Sequence, residues 1–175
     1  MIRCGVAGDL DALALISSER EGVSIQASRR SFERLLEDER LAGAGDAATG
    51  THLLVAEFSG SVAGFGKVAR FDPPLHAAPN VAPAGWYLTG LIVAPALRRH
   101  GIGEALTRAR LDWIATRSPA AWYFANAQNE VTIALHRKHG FVEFTRSFHY
   151  PGVNFRGGAG ILFRADLGDR PAFSG

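Results

Sequence analysis

The chain of 175 residues carries one cysteine, Cys4, and only two lysines, Lys67 and Lys138. A single thiol cannot close an internal disulfide or build a thiolate metal site, which excludes a cystine-stapled scaffold. Cys4 has no activating neighbour in sequence, so it is expected to be a small buried residue rather than a nucleophile. Long apolar runs are also missing. Trp86–Leu97 spans 12 residues and is broken by Gly90 and Pro95, well short of the ~20 that a membrane-spanning helix requires. The opening Met-Ile-Arg-Cys-Gly-Val runs into Asp9 and Asp11 with no apolar leader. None of Asn80, Asn126, Asn129 or Asn154 starts an Asn-x-Ser/Thr acceptor. These absences predict a cytoplasmic protein without a membrane partner. There is no Walker loop, no Gly-x-Ser-x-Gly elbow and no His-Glu-x-x-His. His136-x-x-His139 lacks a third ligand nearby in sequence, so no metal is expected.

What is present is a balanced, core-forming composition, 47% apolar and 21% charged. The length suits one domain, expected over residues 1–167 with a loose tail at 168–175. Arginine supplies 17 of the 19 basic residues, for a net charge of +2. That favours anionic ligands, but 17 acids dilute the field, and charge alone does not make a nucleic-acid binder. Met1–Val6 reads as a short strand, followed by a helix N-capped by Asp9 and bearing Leu10, Leu13, Ala14 and Ile16. A second helix is expected over Ser28–Leu41 and a Gly-rich loop over Gly43–Gly50. His52–Phe58 and Ser61–Phe71 read as two strands joined at Ser59-Gly60. Four prolines make Asp72–Gly85 an irregular loop. Strands at Trp86–Val93, Trp122–Asn126, Phe141–Tyr150 and Gly160–Asp166 are interleaved with helices at Ile102–Arg117 and Val131–His139, the latter closed by Gly140. The order β α α β β β α β α β β describes a mixed α/β sheet with helices on its faces.

The sharpest local feature is the strand Leu88–Val93, the turn Ala94–Leu97, and then Arg98-Arg-His-Gly101-Ile-Gly103 opening a helix. The first turn of a helix presents unpartnered N–H groups and a partial positive charge. Gly101 and Gly103 clear side chains from the approach to those amides, and Arg98, Arg99 and His100 add charge at the same place. Together they describe an anion pocket suited to a phosphate or diphosphate. Gly64-Phe-Gly66-Lys-Val-Ala69 fits a loose dinucleotide fingerprint but continues as strand, so its glycines are read as close-packing or bulge positions.

Element order and the string Val93-Ala-Pro-Ala-Leu-Arg98-Arg-His-Gly101-Ile-Gly103 resemble the GNAT superfamily of acyl-CoA-dependent N-acetyltransferases, whose phosphate loop has the form Arg/Gln-x-x-Gly-x-Gly/Ala. Asn129-Glu-Val-Thr-Ile-Ala-Leu-His136-Arg-Lys-His-Gly140-Phe141 is similar to the family's second signature. The resemblance covers nearly the whole chain. It implies a mostly antiparallel sheet with a V-shaped splay between the fourth and fifth strands, and acetyl-CoA as co-substrate. The backbone of Leu91, Ile92 and Val93 would pair with the pantetheine arm. Arg98 and the amides of Arg99, His100, Gly101, Ile102, Gly103 and Glu104 would hold the diphosphate, and Asn129 would bond the arm or cap its own helix. His136 stands where the family's Tyr proton donor would be, and Tyr87 about where some members carry a Glu base. Tyr123 and Tyr150 are further donor candidates, and Glu57, Glu143 and His149 further base candidates.

The expected reaction is direct transfer of an acetyl group to a primary amine of a small molecule or peptide, in a protein that the resemblance allows to be a homodimer. Few acids accompany Phe71, Trp86, Phe148, Tyr150 and Phe155 in the region where an acceptor would lie, which disfavours a polycationic acceptor. The competing readings are a non-catalytic acyl-CoA-binding or sensing module of the same fold, and a small phosphate- or nucleic-acid-binding domain using the Arg-rich loop.

Overall fold

The computed structural model describes residues 1–42, 50–155 and 157–168. Its elements are β1 (Ile2–Cys4), α1 (Leu10–Glu21), α2 (Ile25–Ala42), β2 (Thr51–Phe58), β3 (Ser61–Phe71), β4 (Gly85–Val93), α3 (Ile102–Ala115), β5 (Ala120–Asn126), α4 (Glu130–Arg137), β6 (Val142–Thr145) and β7 (Gly160–Asp166). The strand order is β1-β2-β3-β4-β5-β7-β6. β4 and β5 run parallel, with Tyr87 opposite Trp122 and Leu88 opposite Tyr123. β1–β2, β2–β3, β5–β7 and β6–β7 are antiparallel. The element order is the one the periodicities predict, and the architecture is the mixed, mostly antiparallel α/β fold. Most of the expected Gly43–Gly50 loop and of the tail after Gly168 lies outside the described residues.

The chain forms two compact units, Met1–Ala69 with Thr89–Arg110, and Arg70–Leu88 with Leu111–Gly175. In the first unit, strand alternation sends Leu53, Val55 and Phe65 to one face, where they pack with Ile92, with Leu10, Leu13 and Ile16 of α1, and with Phe32 of α2. Leu54, Ala56 and Ala63 pack on Ile102 and Leu106 of α3. Each of the buried Leu, Ile, Val and Phe side chains contributes roughly 1.5–3 kcal/mol of burial. Phe32 and Phe65 meet edge to face with centroids 5.0 Å apart. The β2–β3 turn is a two-residue one, with both Ser59 (φ 51°) and Gly60 (φ 78°) left-handed, the geometry that matches the twist of a hairpin. The glycines of β3 are close-packing positions as expected. A Cβ on Gly64 would lie 2.6 Å from the Ile92 carbonyl oxygen, and one on Gly66 would lie 2.9 Å from Arg110 Nε.

Several local expectations are corrected. Asp9 does not cap α1 through its side chain. It closes a 3-10 turn at Ala7–Asp9, accepting from the Val6 N–H at 2.9 Å and from both terminal nitrogens of Arg3 at 2.7 and 2.8 Å. The opposite charge of Arg3 is the stronger attraction for a carboxylate. α2 begins at Ile25 rather than Ser28, because Ser24 Oγ accepts from the Ala27 N–H at 3.2 Å and starts the helix earlier. Cys4 is exposed, not buried, because β1 is an edge strand. On α3 the buried face is Ile102, Leu106, Thr107, Arg110, Leu111 and Ile114, which places an arginine among its apolar residues.

In the second unit β5 lies between β4 and β7, and Ala82, Tyr87, Trp122 and Leu162 form a core joined by Phe71, Phe124, Phe148 and Tyr150. Trp86 and Trp122 are buried, and Trp113 meets Trp86 edge to face at 5.0 Å, in keeping with a core role. β6 covers only Val142–Thr145 instead of Phe141–Tyr150. Its register against β7 shifts between Glu143 and Thr145, and Thr145 Oγ1 then turns the chain by accepting from the Ser147 N–H at 3.1 Å. His149 instead forms an isolated parallel bridge with Val81 of the Pro-rich loop.

The Arg3–Asp9 pair sets a pH response. Hydrogen bonding to Arg3 holds the buried Asp9 carboxyl below the ordinary carboxylate range. Its stabilisation is therefore fully present above the unfolded carboxyl pKa of about 3.9 and is lost as pH falls through the lower native value. Asp9→Asn should cost about 2 kcal/mol at pH 7 and flatten the acid limb of the stability curve below about pH 4. Urea unfolding from pH 7 to pH 3 checks this, and an unchanged acid limb would show that Asp9 does not contribute.

Candidate functional site

The loop after β4 is built by backbone hydrogen bonds. The Ala94 N–H donates to the Ala63 carbonyl at 2.9 Å, and a 3-10 turn at Pro95–Leu97 follows. Arg98 Nε donates to the Val93 carbonyl at 3.3 Å and His100 Nδ1 to the Arg98 carbonyl at 2.9 Å. These bonds fold the basic side chains back over their own turn. Arg99 (φ 68°) and Gly101 (φ 75°) are both left-handed. For a non-glycine residue that conformation costs about 1–2 kcal/mol. Left-handed residues on either side of His100 make a tight turn at the entrance to the next helix, the kind of local reversal from which anion-binding nests are made.

α3 then begins at Ile102, and the first intrahelical bond runs from the Ala105 N–H to the Gly101 carbonyl at 2.9 Å. The N–H groups of Gly101, Ile102, Gly103 and Glu104 therefore have no partner within the helix. Arg98, Arg99, His100, Gly101 and Glu104 are exposed, Gly103 is half-buried and Ile102 is buried as an anchor. A Cβ on Gly101 would meet nothing within 4 Å. The absence of a side chain there serves no packing in the protein itself. A helix N-terminus whose first four N–H groups have no partner in the helix, with the exposed residues Arg98, Arg99 and His100 beside it, has the chemistry of an anion site.

Within β4, Gly90 is left-handed at φ 52°, which breaks the pleat just before Leu91, Ile92 and Val93. Behind it lies a group the sequence did not announce. Arg110 of α3 is 1% exposed. Its guanidinium donates to the carbonyls of Thr89 (3.2 Å), Leu106 (3.2 Å) and Lys67 (3.5 Å) and to Thr107 Oγ1 (3.1 Å). Gly66 leaves the room it occupies. The only available signal was a glycine in β3 without a turn to make.

The remaining expected site residues, Tyr87, Asn129 and His136, belong to the second unit. Tyr87 is fully buried and its hydroxyl donates to the Pro83 carbonyl at 2.7 Å. Burial, with Tyr150 beside it, pushes the phenol far above its ordinary pKa. Tyr87 is therefore a committed donor that ties down the Pro-rich loop, and it is not a base at neutral pH. Tyr87→Phe should lower stability by about 1–2 kcal/mol and leave the alkaline limb of any pH–rate profile where it was. A shifted alkaline limb would put the phenol back in the chemistry.

Asn129 caps α4, its Oδ1 accepting from the Thr132 N–H at 3.4 Å. α4 closes with the Gly140 N–H on the Arg137 carbonyl (3.1 Å) and the Phe141 N–H on the His136 carbonyl (3.4 Å), with Gly140 left-handed. His136 is 1% exposed, stacked on Tyr123 at 3.7 Å and edge-on to Phe141 at 5.5 Å. Its Nδ1 donates to the Thr132 carbonyl at 2.8 Å. With Nδ1–H committed, the ring carries a proton at Nε2 only in its doubly protonated form.

Comparison with known proteins follows these features. The sequence model of the acetyltransferase (GNAT) family matches residues 15–141. No curated protein matches the chain. Among solved structures, a ribosomal-protein-alanine N-acetyltransferase from Brucella melitensis superposes with a TM-score of 0.71 at 22% identity, over 95% of this chain and 99% of that one. An N-acetyltransferase from Staphylococcus aureus Mu50 gives 0.68 at 22%, over 95% and 98%. A GNAT-superfamily phosphinothricin acetyltransferase from Sinorhizobium meliloti, in complex with acetyl-CoA, gives 0.69 at 20%, over 99% and 91%. These likenesses are to the fold. The family match spans well over half of the sequence and takes in the loop, Gly90 and His136, and with it the chain belongs to the GNAT family of acetyltransferases.

Proposed function

We propose that the protein transfers an acetyl group from acetyl-CoA to a primary amine, with both substrates bound together. Acetyl-CoA supplies a thioester whose carbonyl is open to attack by an amine. The amides from Arg99 to Glu104, with the guanidinium groups of Arg98 and Arg99 and with His100, bind its diphosphate. The backbone of Leu91, Ile92 and Val93 holds the arm as an added strand would, and Asn129 bonds the arm while it caps α4. A strand N–H of Leu91 or Ile92 faces the developing oxyanion. His136 keeps its Nδ1 on Thr132 and holds at Nε2, when doubly protonated, the proton that the departing thiolate takes as the C–S bond breaks. Residues 1–167 form the catalytic domain.

One observation carries this reading: the paired left-handed residues Arg99 and Gly101 at the N-terminus of α3, whose first amides have no partner within the helix. Thermal unfolding with acetyl-CoA, ATP or inorganic phosphate tests it. At a hundredfold excess over Kd a ligand adds about 2.7 kcal/mol, or at least about 5 °C for a chain of this size. Acetyl-CoA should give that shift and phosphate none, and equal shifts for all three would reduce the loop to a general anion site.

The burial of His136 and its bond to Thr132 favour one second reading, a module that binds acyl-CoA without turning it over. Release of free thiol in the presence of an amine panel separates the two. His136→Phe should lower kcat more than it raises KM for acetyl-CoA, and an unchanged kcat would remove His136 from the reaction.

A further inference from the structure

Lys67 is half-buried in β3, and its side chain lies across Gly90 of β4. The point a Cβ on Gly90 would occupy is 2.3 Å from Lys67 Cε and 3.2 Å from Nζ. Glycine at 90 thus serves twice, for its left-handed φ and for the lysine lying over it. The ammonium is 6.0 Å from the ring centroid of Phe32 in α2. No carboxylate pairs with it among the described residues, although eight arginine–carboxylate pairs form there. An apolar stem along a core is ordinary for lysine, with the charged head left where water or a solute can reach it. An ammonium beside one aromatic face recovers about 0.5–1 kcal/mol, which does not replace a counter-ion.

A second group, on the same helix as Phe32, points the same way. Ser28 lies one helical turn before Phe32 on the same side of α2. It is 4% exposed, and its Oγ has no hydrogen-bond partner among the described residues. Buried hydroxyls are almost always bonded. A cation without an anion and a donor without an acceptor, both around Phe32, are together satisfied by one carboxylate, whose two oxygens accept from each.

Chain order says which substrate would bring it. The diphosphate loop begins beyond Val93, whereas Gly90 lies at the opposite end of Leu91–Val93, where the reacting end of a bound arm would reach. We propose that Lys67 and Ser28 bind a carboxylate carried by the acceptor, so that the acceptor class is an amine of amino-acid type with a free carboxylate. The proposal rests on the acetyl-transfer reading above and adds the acceptor to it.

The test compares thiol release from acetyl-CoA for free L-amino acids, L-phenylalanine, L-methionine and L-alanine among them, against the matching amides. The less basic amine of an amide is more often unprotonated, which biases the comparison against the proposal. The wild-type protein should prefer at least one acid over its amide by about 20-fold or more in kcat/KM, the worth of a charge-assisted hydrogen bond. Lys67→Met, similar in length and uncharged, should collapse that ratio to within about threefold, and Lys67→Arg should restore much of it. Stabilisation of each variant by acetyl-CoA confirms that it is folded. A ratio near one in the wild-type protein, or a ratio kept in Lys67→Met, overturns the proposal. So does a protein that acetyl-CoA stabilises but that acetylates no acid probe, and in that case the acetyl-CoA reading stands. If acetyl-CoA fails to stabilise the wild-type protein, that underlying reading is what has failed.

Discussion

Replacing Gly101 and Gly103 together with valine should lower acetyl-CoA affinity by more than 100-fold while the protein stays folded. The two effects separate because of where the space lies. A side chain at 101 would touch no atom of the protein within 4 Å, so the fold does not require glycine there for packing. It requires glycine for its φ of 75°, which valine reaches only with strain of about 1–2 kcal/mol or more. If the loop relaxes to relieve that strain, the amides of Arg99 to Gly101 no longer converge. If it does not, the valine methyls stand where the diphosphate oxygens must approach. At 103 the cost to the helix is small, because valine is only a modestly poorer helix former than most residues, yet its branch shadows the free amides of the first turn. Titration calorimetry with acetyl-CoA, alongside a melting curve, reads both quantities. Micromolar affinity retained in a folded double variant would show that the amide cradle is not what binds the ligand.

Arg110→Met should be the most destabilising single substitution among the residues discussed. Removing the guanidinium leaves the carbonyls of Thr89 and Lys67 facing a buried, apolar side chain, together with Thr107 Oγ1. Each abandoned buried acceptor costs roughly 1–3 kcal/mol, and the loss of a buried charged group with its partners left behind is typically about 3–5 kcal/mol in all. At about 2–4 °C per kcal/mol for a chain of this size, Tm should fall by about 6–20 °C. Arg110→Lys should recover little of this, since an ammonium cannot span three carbonyls from one planar fork. Because Thr89 precedes Gly90, a variant that survives should also show a raised KM for acetyl-CoA. A melting temperature within about 2 °C of the wild-type value would show that other groups hold those carbonyls.

Much of the architecture was legible because it rests on periodicity and on residues with one dominant habit. The alternation in β2, the apolar spacing of α3 and the two-residue turn at Ser59-Gly60 each name one local structure. The turn at Arg98–Gly103 was legible for the same reason, since Gly101 and Gly103 follow an apolar strand and precede the apolar spacing of α3. What stayed hidden depends on partners far away in sequence. Asp9 looked like a helix cap because caps are local, and Arg3 took it because a cation outbids an amide. The length of β6 was lost to a register shift against β7, which no property of Val142–Tyr150 alone reveals. Arg110 sits in a helical stripe that reads as amphipathic, where arginine means solvent. Only the empty place opposite, Gly66, makes it an interior residue. Tyr87 and His136 were singled out for acidity and position, yet carbonyls at Pro83 and Thr132 hold one proton of each.

The hairpin turn at Ser59–Gly60 has a reach well beyond the surface it occupies. It sets which residues of β3 stand opposite which of β2, with Gly66 facing Leu54 and Lys67 facing Leu53. Lengthening it by one residue would slide β3 by one position, and a slip of one exchanges the two sides of a strand. Phe65 would then be driven into the space that Arg110 fills, and a glycine would stand under Phe32 with nothing to offer an anion. One inserted residue in a solvent-facing bend would thus disable an interior clamp and the acceptor's charge reader in a single stroke.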